Sequence, residues 1–308
     1  MPPTITEKQF RFVTRNKQEE QQETVSTSQS YFQDARERLF QNKLAVTGLL
    51  IIGLLIILAI VAPYLVPYSY SEQNLLDADM PPSAEHWFGT DDLGRDMFAR
   101  TWVGARISLF IGITAAILDL LIGVIYGAIA GYVGGKTEEV MMRIVDTLYG
   151  LPHLLITILL MVVLKPGLIT IIIAMTATGW IGMARLVRGQ VLQLKEMEYV
   201  IAAKALGAGF PRILFKHLIP NTMGPIIVAM TLTIPSAIFS EATLSFLGLG
   251  VPVPLASWGT MTSDGLVSIL TGQSWRIFFP AFLISLTMFA FNVLGDGLRD
   301  ALDPRLRK

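Results

Sequence analysis

Apolar residues fall along this chain in long runs separated by polar stretches. Residues 1–43 are polar, and six apolar runs follow at 44–66, 107–134, 147–164, 166–184, 218–240 and 277–295. A helix that crosses a hydrocarbon core needs about 20 mostly apolar residues. The first run is 23 residues without a charge, and the second is interrupted only by Asp119. Lys165-Pro166-Gly167 divides what would otherwise be one very long run, and predicts a tight turn between two spans. The pattern therefore predicts an all-α integral membrane fold with six transmembrane helices, residues 44–308, behind a polar tail, residues 1–43. The tail is rich in Gln, Glu, Thr and Ser, which predicts disorder ending in a short interfacial helix over 34–43. The first run is too long for a secretory h-region, so a cleaved signal peptide is not expected. No internal repeat is visible.

Composition agrees with the membrane reading. The chain is 52% hydrophobic, 16% charged and has a mean hydropathy of +0.55, whereas soluble domains carry about a quarter charged residues. Lys and Arg favour the cytoplasmic side. With the N-terminus inside, 19 of them lie on inside segments and 5 outside. Both termini are then cytoplasmic, and the rather acidic loop 67–105 is external. A net charge of zero gives no hint of nucleic acid. Cysteine is absent, which removes disulfides, thiolate metal sites and a cysteine nucleophile. His86, His153 and His217 are scattered, so no metal or catalytic cluster is expected. His153, beside Pro152, reads as packing or an interfacial anchor.

Residues 131–137, GYVGGKT, approach a phosphate-binding loop but miss it. The motif needs Gly where Ala130 stands, and a strand where a membrane span stands. Gly134-Gly135 reads instead as a turn leaving the second span. No cofactor is expected, and no ATP site is read in this stretch.

Ionisable residues inside a membrane are costly and usually face a cavity or a partner. Asp119, mid-span, and Glu241, at the end of the fifth run, are the candidates for a substrate path. A helix-packing role competes in both cases, and is favoured for Glu241. The loop 89–96, GTDDLGRD, is built from turn and capping residues. Its Asp91, Asp92, Arg95 and Asp96 either tie the loop together or form a docking surface.

Between the fourth and fifth spans lies EYVIAAKALGAGFPRILFKHLIPN, residues 198–221. It reads as a helix, a Gly-ended stop at Gly207 and Gly209, and a Pro-started helix at Pro211. From the residues alone, partner docking and an amphipathic helix on the bilayer are equally good readings. The stretch resembles the cytoplasmic coupling loop of ABC importer permeases, Glu-Ala-Ala-x-x-x-Gly followed after a gap by Ile-x-Leu-Pro. Ala202, Ala203, Gly207 and Pro220 stand in register. Ile201, His217 and Ile219 depart from the pattern. Three further blocks, 86–109, 244–259 and 291–305, are similar to the C-type subunit of oligopeptide, dipeptide and nickel permeases. Together the four blocks cover most of residues 87–307, in the same order and on the expected sides of the membrane.

The resemblance implies a type I importer permease in a bacterial cell (inner) membrane. It implies a heterodimer with a homologous permease subunit, two ATP-binding subunits and an extracellular or periplasmic substrate-binding protein. In that arrangement the loop of about 196–220, with Tyr199, Ala202, Ala203, Gly207, Phe210, Arg212, His217 and Pro220, seats in the ATPase. Asp91, Asp92, Arg95 and Asp96 would face the binding protein. The cargo would be a peptide, most simply an oligopeptide or dipeptide. A nickel or other small-solute permease is the alternative within the class. A secondary transporter is the alternative outside it, although such proteins more often show inverted repeats. No enzymatic activity is expected of the chain itself.

Overall fold

The computed structural model describes residues 31–302, and it is helical wherever it is regular. The elements are α1 Tyr31–Gln41, α2 Lys43–Val61, α3 Met97–Val133, α4 Gly135–Tyr149, α5 His153–Leu164, α6 Leu168–Leu194, α7 Glu198–Ala205, α8 Ile219–Phe246, α9 Trp258–Asp264, α10 Ser268–Thr271 and α11 Trp275–Leu302. Of the tail expected to be disordered ahead of residue 34, residues 1–30 lie outside the described residues, and 31–33 are helical. The short helix expected at 34–43 is present as α1, shifted a few residues towards the N-terminus.

Among the described residues, five helices are long and apolar enough to cross a membrane, and a bent pair can supply a sixth crossing. That pair corrects the third predicted run. Residues 147–149 belong to the amphipathic α4, and α5 turns away from it by 83°. At 1.5 Å per residue the 12 residues of α5 reach about 18 Å, short of a hydrocarbon core. Pro152 N-caps α5 in an extended conformation, which ends the helical path from α4. A count of apolar residues does not register such a bend.

The other spans run past their apolar cores because the flanking charges find partners. Helix α3 starts at Met97, ten residues before the apolar run. Asp96 caps it by accepting from the Ala99 amide at 2.7 Å. Arg106 then donates to the carbonyls of Ala59 and Ile60 at 2.6 and 2.9 Å, satisfying acceptors in the last turn of α2. At the other end α6 continues through Arg185 and Arg188, which pair with Asp146 and Glu138 of α4.

Close packing of α3 on α6 organises the centre. Gly123, Gly127 and Gly131 repeat every fourth residue of α3. A Cβ on Gly127 would strike the Ala184 carbonyl, and one on Gly123 would come within 2.6 Å of the Met183 Cβ. Small residues let helix backbones meet where lipid offers no hydrophobic drive. Gly48 of α2 meets the Ala290 carbonyl of α11 in the same way. The turn at 134–135 is as predicted, with both glycines at positive φ.

Candidate functional site

A cavity of about 610 Å³ opens between α3, α6, α8 and the α4–α5 bend. Asp119 of α3 lines it, together with His153, Thr178, Gly179, Ser236 and Ser240. Asp119 is 7% exposed, and among the described residues its Oδ1 has no hydrogen-bond partner. Gly179 of α6 lies directly opposite, and a Cβ there would run into both carboxylate oxygens. His153 Nδ1 stands 2.5 Å from Thr178 Oγ1, which ties the α4–α5 bend to α6 across the cavity wall. A second cavity of about 590 Å³ lies between α6, α8 and α11, with Gln190, Asn221 and Arg299 on its wall. Leu232 borders both cavities.

Glu241 lies elsewhere. It is fully buried and absent from the wall of either cavity, which supports the helix-packing role already favoured for it over a place on a path. Its carboxylate accepts from Ser245 at 2.8 Å, Ser257 at 2.6 Å and, more weakly, Ser108 at 3.4 Å. Ser108 in turn accepts from the Trp258 amide at 3.0 Å. The cluster therefore knots α3, α8 and the start of α9 together. Pairing of this kind is what makes a carboxylate tolerable in the interior.

The 86–96 loop is held from within. Asp91 Oδ1 accepts the amides of Leu93 and Arg95, both at 3.0 Å, and its Oδ2 pairs with Arg95 at 2.6 Å and Arg100 at 3.4 Å. Asp96 accepts from Ala99 and lies 2.9 Å from His86 Nδ1. Asp91, Arg95 and Asp96 are all buried. Of the four residues singled out here, Asp92 alone has a largely exposed side chain, at 57%. Even it is engaged, since Arg276 of α11 bridges Asp92 and Asp79, both at 2.9 Å.

The loop between α6 and α8 projects a short helix. Helix α7 ends as predicted at Gly207, whose φ is +81°. The Gly207 amide donates to the Lys204 carbonyl and the Ala208 amide to the Ala203 carbonyl, closing the helix end with the pair of bonds that a left-handed Gly permits. Val200 is its buried anchor, packed with Ile213, Leu214 and Leu218. Phe210 rests on Tyr132 of α3 with ring centroids 5.2 Å apart, and Lys204 stands over the same ring. Tyr199, Ile201, Ala202, Leu206, Gly207, Arg212 and Pro220 face outward, with Leu206 89% exposed, while Ala203 and His217 are half-buried. Burial pushes the Tyr199 phenol above its ordinary range. A rigidly anchored helix with an apolar outer face is suited to a groove in another protein.

Residues 123–308 match the model of a family described as the binding-protein-dependent transport system inner membrane component. The chain belongs to this family. It is an ABC importer permease subunit, and residues 30–82 match a second model, the N-terminal transmembrane domain of oligopeptide transport permease C. The permease is 67% identical over 281 residues to the oligopeptide transport system permease protein OppC of Bacillus subtilis (strain 168), covering 91% of this chain and 92% of that one. It is 61% identical over 296 residues to the dipeptide transport system permease protein DppC of the same organism, covering 96% and 92%. Its fold is shared with a chain of the MetNI methionine ABC transporter in inward-facing conformations, at a TM-score of 0.51, 17% identity, 66% coverage of the permease and 97% of that chain.

The sequence had pointed to Asp119 and to the α7 loop. It had not pointed to Thr178, Ser236 or Ser240. For Ser236 and Ser240 the signal was present as Ser and Thr at helical spacing in 233–240, and for Thr178 as a hydroxyl within 166–184, each hidden inside an apolar run.

Proposed function

We propose that this permease carries peptides, most simply oligopeptides or dipeptides, along a path formed with a homologous permease subunit. The observation that carries this reading is the identity of 67% and 61%, over nine-tenths or more of the chain, to permeases named for oligopeptide and dipeptide transport. In this reading the cavity beside Asp119 is half of the path. Helix α7 and its flanks, with Tyr199, Ala202, Ala203, Gly207, Phe210, Arg212, His217 and Pro220, form the coupling element. Two separate ATP-binding subunits hydrolyse ATP, and their closure moves the spans through that element. A substrate-binding protein delivers the cargo to the face that carries Asp92. Both termini and α7 are cytoplasmic, an orientation that the distribution of Lys and Arg favours, in a bacterial cell (inner) membrane.

Uptake by cells that lack this chain tests the cargo. A labelled tripeptide should enter only when the chain is restored, while nickel uptake should be the same with and without it. Restored nickel uptake with unchanged tripeptide uptake would replace peptide by metal as the cargo.

A further inference from the structure

The geometry points to Asp119 as a transit site for the ammonium group of the cargo, an inference that rests on the peptide reading above. Four observations meet there. The carboxylate sits mid-span, and among the described residues its buried Oδ1 lacks a partner. It faces a cavity large enough for part of a small peptide. Gly179 leaves the space in which the carboxylate lies. The basic side chains nearest along α6 are already committed, Arg185 to Asp146 and Arg188 to Glu138.

The rest of the wall has matching chemistry. Ser236 and Ser240 donate their hydroxyl protons to the carbonyls of Leu232 and Ser236 in their own helix. Their lone pairs remain for a guest. The cavity thus presents a carboxylate and hydroxyl acceptors, and its complement is a cationic group with several N–H donors. A peptide's α-amino group has a pKa of about 8 and is largely charged at neutral pH. Moving that charge through a region of low dielectric is costly unless a counter-charge meets it.

The absence of cysteine allows a direct test. In the complete reconstituted complex, Ser236→Cys places a thiol on the cavity wall. Its reaction rates with an aminoethyl methanethiosulfonate, which bears a primary ammonium with three N–H donors, and a neutral methanethiosulfonate are compared, each corrected for reactivity with a free thiol. The cationic reagent should be preferred. Asp119→Asn should reduce that preference about tenfold, the scale of one hydrogen bond to a charged group, and Asp119→Glu should retain most of it. Without the added cysteine, Asp119→Asn should slow uptake of Ala-Ala-Ala by a similar factor. A preference unchanged by Asp119→Asn would overturn the proposal. So would unchanged Ala-Ala-Ala uptake. A complex that assembles with neither Asn nor Glu would make the residue structural, as would pairing with a basic side chain of the second permease. Failure of the peptide reading would show separately, as no uptake by the unmodified complex while the labelling preference persists.

Discussion

Ser257 donates its hydroxyl proton to Glu241 at 2.6 Å, joining the cap of α9 to the interior of α8. The two residues are 16 apart in sequence, and the bond fixes the segment between them against the membrane core. Ser257 also caps α9 by accepting from the Thr260 amide. One hydroxyl thus serves a helix end and a buried carboxylate together.

Removal of the carboxylate should loosen this knot. Glu241→Ala strips an acceptor from three buried hydroxyls, at a cost of about 1–3 kcal/mol. The detergent-solubilised permease should then unfold at a lower temperature. Glu241→Gln keeps one carbonyl acceptor and should lose less. Thermal unfolding of the three proteins side by side provides the check, and equal midpoints would remove the structural role.

The α3–α6 contact makes a second, sharper prediction. Gly127→Leu forces a side chain into the Ala184 carbonyl and should cost a few kcal/mol, at or above the usual range for overpacking. The yield of folded protein should drop. Gly53→Leu is the matched control, because nothing lies within 4 Å of a Cβ there. Comparable yields for the two variants would mean that α3 and α6 are not in this close contact.

How far the sequence reached depends on the kind of signal. Long apolar runs, the Lys165-Pro166-Gly167 turn, the Gly134-Gly135 turn and the Gly207 stop are local features, and all were legible. The α4–α5 bend was not, because an apolar run carries length and no direction. Nor was the Glu241 cluster, since Ser108 and Ser257 reach it from 133 and 16 residues away. Asp119 was legible as an anomaly, but its helix face required the fold.

Coupling can be tested at Gly207. A β-branched residue at φ +81° is strained by about 1–3 kcal/mol, so Gly207→Val should distort the end of α7. In the proposed role, uptake and cargo-stimulated ATP hydrolysis should fall together while the permease still inserts. Gly207→Asn, which tolerates a left-handed backbone better, should be milder. A stably inserted Gly207→Val protein with normal uptake would count against the role of α7.

Topology is open to the same cysteine-free chemistry. Ala84 is exposed in the loop between α2 and α3. Ala84→Cys should react with an impermeant thiol reagent in intact cells, once any outer barrier is passed. Thr137→Cys, exposed at the start of α4 and outside the coupling element, should react only after the membrane is opened. The reverse pattern would invert the orientation.

Transport itself is the most direct measurement. Vesicles would hold this permease, its homologous partner and two ATP-binding subunits, with the binding protein and a labelled tripeptide outside and ATP within. The tripeptide should accumulate inside, and accumulation should vanish when either ATP or this chain is left out. Accumulation that needs no ATP and follows an ion gradient, or that persists without this chain, would contradict the account.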